Sequence, residues 1–233
     1  DSKGHFIYKK WLDSVFVAIQ NNTLKNLIVD VRNNGGGDDP NDVITYSYLT
    51  NKTFQESKQV WISFNKVPLL KYYDSPFPRI LRPLGVGTFN RNFRKRFPIE
   101  KDGEYHINKE SNELTIRHPH EHAFTGNVYL LISPRVASAG SLFAALVEGN
   151  EHTTSIGEET MGVAYIIQQH MINNYISLKL PIAIPLHPLT KTNWSKVGVV
   201  PDVDISASLS LEAAHEIAME YLGYSNKKQL SRQ

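Results

Sequence analysis

The 233-residue chain has no cysteine, which removes disulfides and thiolate chemistry from consideration. It has no apolar run near membrane-spanning length and no signal-peptide pattern at its start. It also lacks an excess of either charge. Its 25 Lys and Arg against 23 Asp and Glu leave a net +2, far short of what a dedicated nucleic-acid binder usually carries. No internal repeat is present. With 41% apolar and 21% charged residues, what remains is a globular chain long enough for a real core. The opening, "DSKGHFIYKKWLDSVFVAIQ", reads as the inside of a helix-forming segment, so an N-terminal domain is expected ahead of it.

Ile7, Trp11, Leu12, Val15, Phe16 and Ile19 recur at helical spacing and predict an amphipathic helix. "NLIVDVR" (26–32) reads as a buried strand, "NNGGGDDP" as a tight turn, and Pro40 suits the first turn of a helix over "PNDVITYSYL". "QVWISFNKV" predicts a strand. Residues 70–125, rich in Pro, Arg, Tyr and His, lack clear periodicity and are expected to form an inserted cap on a single core spanning 1–233. "NVYLLIS" (127–133) predicts a second buried strand, followed by the helix "SLFAALVEG". "TSIGEETMG" reads as strand then loop, and "AYIIQQHMI" and "YISLKLPIAIPL" as paired strands. A last helix carries Leu211, Ala214, Ala218, Tyr221 and Leu222 on one side. Strands alternating with helices predict an α/β fold with a mixed sheet.

Ser138, where a buried strand gives way to a helix, has two readings. It is an N-cap, its hydroxyl accepting from a first-turn amide, although Ser141 does not complete a capping box. Or it is a nucleophile standing beside helix-N-terminal amides that stabilise an oxyanion. "VASAG" half-matches the nucleophile-elbow pattern, with Val136 in place of the first glycine. The glycines after "VDVRNN" let backbone approach a ligand closely. A dinucleotide site is a poorer reading of them, because Asp38 and Asp39 would repel a pyrophosphate. A glycine turn facing a serine at a helix start would supply both halves of an oxyanion hole.

"NLIVDVRNNGGG", "GNVYLLISPRVASAGSLFAALVEGN", "SIGEETMG" and "VGVVPDVDI", in that order over residues 26–205, resemble the signature blocks of the tail-specific, or C-terminal processing, serine peptidases. That group includes the tricorn core and the repeats of interphotoreceptor retinoid-binding protein. The resemblance implies a ClpP/crotonase-like core and hydrolysis of polypeptide substrates through an acyl-enzyme. It places Ser138 at the nucleophile and the amides of Gly36 and Ala139 at the oxyanion hole. It implies no metal or organic cofactor, no membrane insertion by this segment, and an exported, periplasm-like location.

The base is where the pattern breaks. The family lysine position holds Val163, which cannot accept a proton, and Trp194, Ser195 and Lys196 stand where tricorn-like relatives place a glutamate. His5, in what reads as a solvated first turn, His170 on a strand, and His152 and Glu158 in loops are the internal candidates. The expected source is polypeptide outside this chain. The alternative is a non-catalytic module that binds a peptide or apolar ligand in the same cleft. "HPHEH" (118–122) could gather histidines for a zinc ion but reads better as a solvated loop. "RNFRKRF" (91–97), with Phe93 and Phe97, reads as a cap edge or a groove for acidic peptides rather than a nucleic-acid surface. The sequons at Asn21, Asn51 and Asn193 are short enough to arise by chance.

Overall fold

The computed structural model describes residues 2–37, 40–56, 59–62, 66, 82–162, 166–171, 177–186 and 198–222. The chain divides into two compact units, one of residues 1–53, 117–163 and 197–233, the other of 54–116 and 164–196.

The first unit opens with helix α1 (Ser2–Asn21), strand β1 (Asn26–Asp30) and helix α2 (Asn41–Ser47). It continues with β5 (Asn127–Ile132), α4 (Ala139–Glu148), β6 (Thr153–Gly157), β9 (Val203–Asp204) and α5 (Ser210–Tyr221). Its four strands form a sheet in the order β1-β5-β6-β9, every neighbouring pair parallel. Parallel sheets are covered on both faces, so their inner strands carry continuous rather than alternating apolar residues. β5 is such a strand, buried from Val128 to Ile132. Tyr129, Leu131 and Ile156 pack against Ala214 and Ala218 of α5. α4 is buried from Gly140 to Val147. Each large apolar side chain withdrawn from water here contributes about 1.5–3 kcal/mol.

The second unit holds β2 (Gln59–Ile62), α3 (Arg82–Arg96), β3 (Ile99–Lys101), β4 (Glu104–His106), β7 (Ile166–Met171) and β8 (Ser177–Leu186). Its five strands pair antiparallel in the order β3-β4-β2-β8-β7. Phe93 and Phe97 are buried with ring centroids 5.1 Å apart, so neither ring is presented to a base.

The expected α/β class is the one found, with parallel and antiparallel pairing divided between two sheets rather than mixed in one. Much of the segment expected to form a cap, 70–125, lies in the second unit, but 117–125 belongs to the first. There His120 N–H donates to Ser47 O and Phe124 N–H to Tyr48 O, both at 2.8 Å, stitching the segment to the end of α2. Each outer helix buries only part of its expected apolar stripe. On α1, Leu12 and Phe16 are buried while Ile7 and Trp11 are exposed. On α5, the small residues Ala214 and Ala218 meet the sheet, and Leu211, Tyr221 and Leu222 are exposed. Small side chains let a helix approach a sheet closely, and that close approach decides the inward face.

Candidate active site

The chain leaves β5 at the C-terminal end of the parallel sheet. Ser133 Oγ donates to Arg32 O (2.6 Å) and accepts from Arg135 N–H (3.1 Å), joining the ends of β5 and β1. Arg32 itself forms an ion pair with Asp30 (2.7 Å) and donates to Ala207 O (2.7 Å). The hydrogen bond from that guanidinium holds the Asp30 carboxyl below the usual carboxylate range. The glycine turn therefore springs from a braced corner.

Ser138 sits at the N-cap position of α4 with φ 54° and ψ −127°, and its hydroxyl makes no capping bond. Capping alone does not explain this serine. A left-handed φ on a side-chain-bearing residue costs on the order of 1–3 kcal/mol and persists only where its surroundings enforce it. Here they do so from two directions. Ala137 N–H donates to Asn34 O (3.2 Å) on one side, and on the other Ser138 N–H donates to Gly162 O (3.1 Å) and Met161 N–H to Val136 O (2.9 Å). Below, buried Ser141 donates to Val136 O (3.0 Å).

The glycine turn reaches this corner. Gly36 has φ 101°, and a methyl group on it would stand 2.8 Å from Ser138 Cβ and 3.2 Å from the Ala139 nitrogen. A methyl on Gly140 would stand 2.5 Å from Asn34 O. Both positions require glycine, one for its dihedral and its space, the other for space alone. Gly36, far away in sequence, is thus brought to the adjacent pair Ser138 and Ala139. Ala139 N–H belongs to the first helical residue, and among the described residues it has no acceptor. Gly36 N–H donates to Asn34 Oδ1 at 3.0 Å.

The other candidates are not gathered there. His152 precedes β6, whose Thr153 is in register with Val128 near the start of β5, at the end of the sheet opposite Ser138. Glu158 Oε2 accepts from Ala207 N–H at 2.8 Å. His5 is half-buried rather than solvated, its Nδ1 2.9 Å from Asn41 Oδ1. His170 lies on β7, and its side chain, like Val163 and Trp194 to Lys196, is outside the described residues. His120 stacks on Tyr48 and lies 3.3 Å from Asp13 Oδ1, while His122 Nδ1 lies 3.1 Å from Gln20 Oε1. Among the described residues no three metal-ligating side chains converge.

A cavity of about 500 Å³ adjoins the elbow, its wall passing from α1 over β1 to Gly36, Gly37, Ala139 and Gly140. Asn34 and Arg32, which hold the elbow and the turn in place, were not singled out in the sequence. The polar "RNN" step between an apolar strand and the glycines was the signal for them.

A strained serine at a strand-to-helix turn on a parallel α/β sheet is an arrangement found in serine hydrolases. The family model of Peptidase family S41 matches residues 5–205, and the chain belongs to that family of serine peptidases. Similar solved structures include mature CPAF (16% identity, TM-score 0.62, covering 94% of this chain and 47% of that one). Also similar are the photosystem II D1 C-terminal processing protease (16%, 0.52, covering 91% and 44%) and a lipoprotein from Streptococcus agalactiae (15%, 0.51, covering 91% and 62%). At these identities the likeness is one of fold, and the chain spans about half the length of the first two.

Proposed function

We propose that this chain carries the nucleophile and oxyanion hole of a serine peptidase, with its general base supplied by polypeptide outside residues 1–233. Ser138 Oγ attacks the carbonyl carbon of a peptide bond, and the carbonyl oxygen becomes an oxyanion held by the Ala139 and Gly36 amides. The C–N bond then breaks, and the amine leaves with the proton that the base took from the serine. Water, deprotonated by the same base, releases the acyl group as a carboxylic acid and restores the hydroxyl. Gly36 N–H must let go of Asn34 Oδ1 for this, which an arriving anion favours because charge-assisted hydrogen bonds are the stronger kind. No cofactor takes part.

The observation that carries this reading is the φ of Ser138, strain that its hydroxyl does not offset with a cap bond. Labelling by a fluorophosphonate, with the modified residue mapped by mass spectrometry and Ser138→Ala as control, tests it. Slow labelling at Ser138, accelerated by added imidazole, is the expected result. Labelling insensitive to imidazole would place the base within the chain. A Ser138 that stays unlabelled even with imidazole would leave only the binding-module alternative.

A further inference from the structure

Charge is divided unequally between the two units. The second, residues 54–116 and 164–196, holds 14 of the 25 Lys and Arg but 7 of the 23 Asp and Glu. The first is left with 11 basic and 16 acidic residues, so a nearly neutral chain joins a cationic unit, +7, to an anionic one, −5. Each excess is displayed on a helix. α3 carries Arg91, Arg94 and Lys95 at spacings of three and four residues, while Phe93 turns inward. α5 carries Glu212, Glu216 and Glu220 at spacings of four, while Ala214 and Ala218 meet the sheet. All six charged side chains are exposed.

Like charges three or four residues apart are neighbours on a helix surface and destabilise it. Opposite charges nearby would relieve both stripes, but among the described residues none of the six side chains is ion-paired. Neighbouring cations are already committed. Arg96 pairs with Glu113, and Arg32, which lies near enough to interact with Glu212, pairs with Asp30. Nor is the end of α3 short of partners, because Asn108 N–H donates to Arg96 O at 2.7 Å. A nucleic acid or an anionic membrane would match the cationic stripe in sign only. Phe93 and Phe97 are buried, and Ile116 is the one large apolar side chain exposed among the described residues of the second unit, so base stacking and insertion between lipids have little to work with. A surface that matches the α3 stripe in both sign and number is on the chain itself.

We propose that the cationic stripe of α3 docks on the acidic stripe of α5 in a second copy of this chain, with Arg91, Arg94 and Lys95 facing Glu212, Glu216 and Glu220. Arginine suits this role because its planar fork can bind a carboxylate through two parallel hydrogen bonds. Leu211, Tyr221 and Leu222, exposed at the two ends of α5, add apolar area to a contact that exposed ion pairs alone would make weak. The contact joins unlike surfaces, so it leaves an α3 stripe and an α5 stripe free until a ring closes, and otherwise grows into a chain. It rests on charge outside the serine site and holds whether or not Ser138 is a nucleophile.

Sedimentation velocity of the whole chain over a range of concentrations is the test, run at about 0.1 M and about 1 M salt, between which the Debye length falls from about 10 to about 3 Å. Self-association at the lower salt, weakened at least about tenfold at the higher, is expected. Its concentration dependence separates a contact between copies from one within a chain. Arg91→Glu, Arg94→Glu and Lys95→Glu together, or Glu212→Lys, Glu216→Lys and Glu220→Lys together, should each weaken it at least about tenfold. Either variant carries two stripes of one sign. Mixed in equal amounts, each offers what the other lacks, and association should return, as it should in a chain carrying all six changes. If a triple variant does not fold, the single changes Arg91→Glu and Glu216→Lys take its place. A parent that is monomeric at every concentration overturns the proposal, as does association indifferent to salt or unchanged by both reversals. Association lost in both variants and not regained on mixing overturns it too. So does a monomeric parent that binds polyglutamate or anionic vesicles, because the partner of α3 would then be a foreign polyanion.

Discussion

Gly36 and Ser138 explain each other. The serine occupies a left-handed dihedral because the backbone is clamped by Asn34 and Gly162, and the glycine is required because any Cβ there would collide with the serine it faces. Gly36→Ala adds both a positive-φ penalty and a 2.8 Å contact, so a loss of about 1–3 kcal/mol is expected in urea unfolding. Gly37→Ala, with nothing within 4 Å of the added methyl, should change stability by less than about 0.5 kcal/mol. Equal effects at the two sites would contradict the packing described. Part of this was legible beforehand. Three glycines after a strand and a serine before a helix are local patterns. The bond from Ala137 to Asn34, which spans a hundred residues, has no local pattern and could not be read from spacing.

At the scale of elements, α1 is held by a polar cluster as well as by Leu12 and Phe16. Tyr48 OH donates to Asp13 Oδ1 (2.6 Å), and His120 stacks on the Tyr48 ring with centroids 4.1 Å apart. Burial pushes the Tyr48 hydroxyl above its usual range, reinforced by the bond to Asp13. Burial also lowers the His120 pKa, against the pull of Asp13. The unfolded chain therefore binds more protons at His120 than the folded one as pH falls through the histidine range. Stability at this group is full above an ordinary histidine pKa of about 6.5 and is lost as pH drops below it. Replacing His120 with Phe, which keeps a ring on Tyr48, should flatten the fall in urea midpoint between neutral and mildly acidic pH. A slope identical to that of the parent would rule out the His120 contribution. Removing the hydroxyl by Tyr48→Phe is expected to cost about 1–2 kcal/mol, read by the same unfolding curves. The apolar stripe of α1 was visible from its period. The stripe of α5 was visible only in part, because periodicity reports where apolar residues recur and not which of them fit closest to a sheet. Of the expected stripe, Ala214 and Ala218 make the contact, while Leu211, Tyr221 and Leu222 are exposed.

At the scale of the whole molecule, stability concentrates where the parallel strands and α4 bury one another. The slowest amide exchange is expected over Val128–Ile132 and Leu142–Val147, and faster exchange there than in α1 would contradict that distribution. The α/β class and the order of the family's blocks were readable because both are written in short segments along the chain. The separation into a parallel and an antiparallel sheet was not, because it depends on which distant strands become neighbours. What ties the scales together is the proposed oxyanion site, in which the Ala139 and Gly36 amides would serve one side chain. It can be probed without any assumption about the base. The chain has no cysteine, so Ser138→Cys introduces a single thiol at the elbow. Its alkylation rate by iodoacetamide, followed against pH, gives the thiol pKa directly. Beside the Ala139 amide and the start of α4, that value is expected at least about one unit below the ordinary 8.5. A value at or above 8.5 would mean that the side chain faces apolar surroundings, and the oxyanion site would be contradicted.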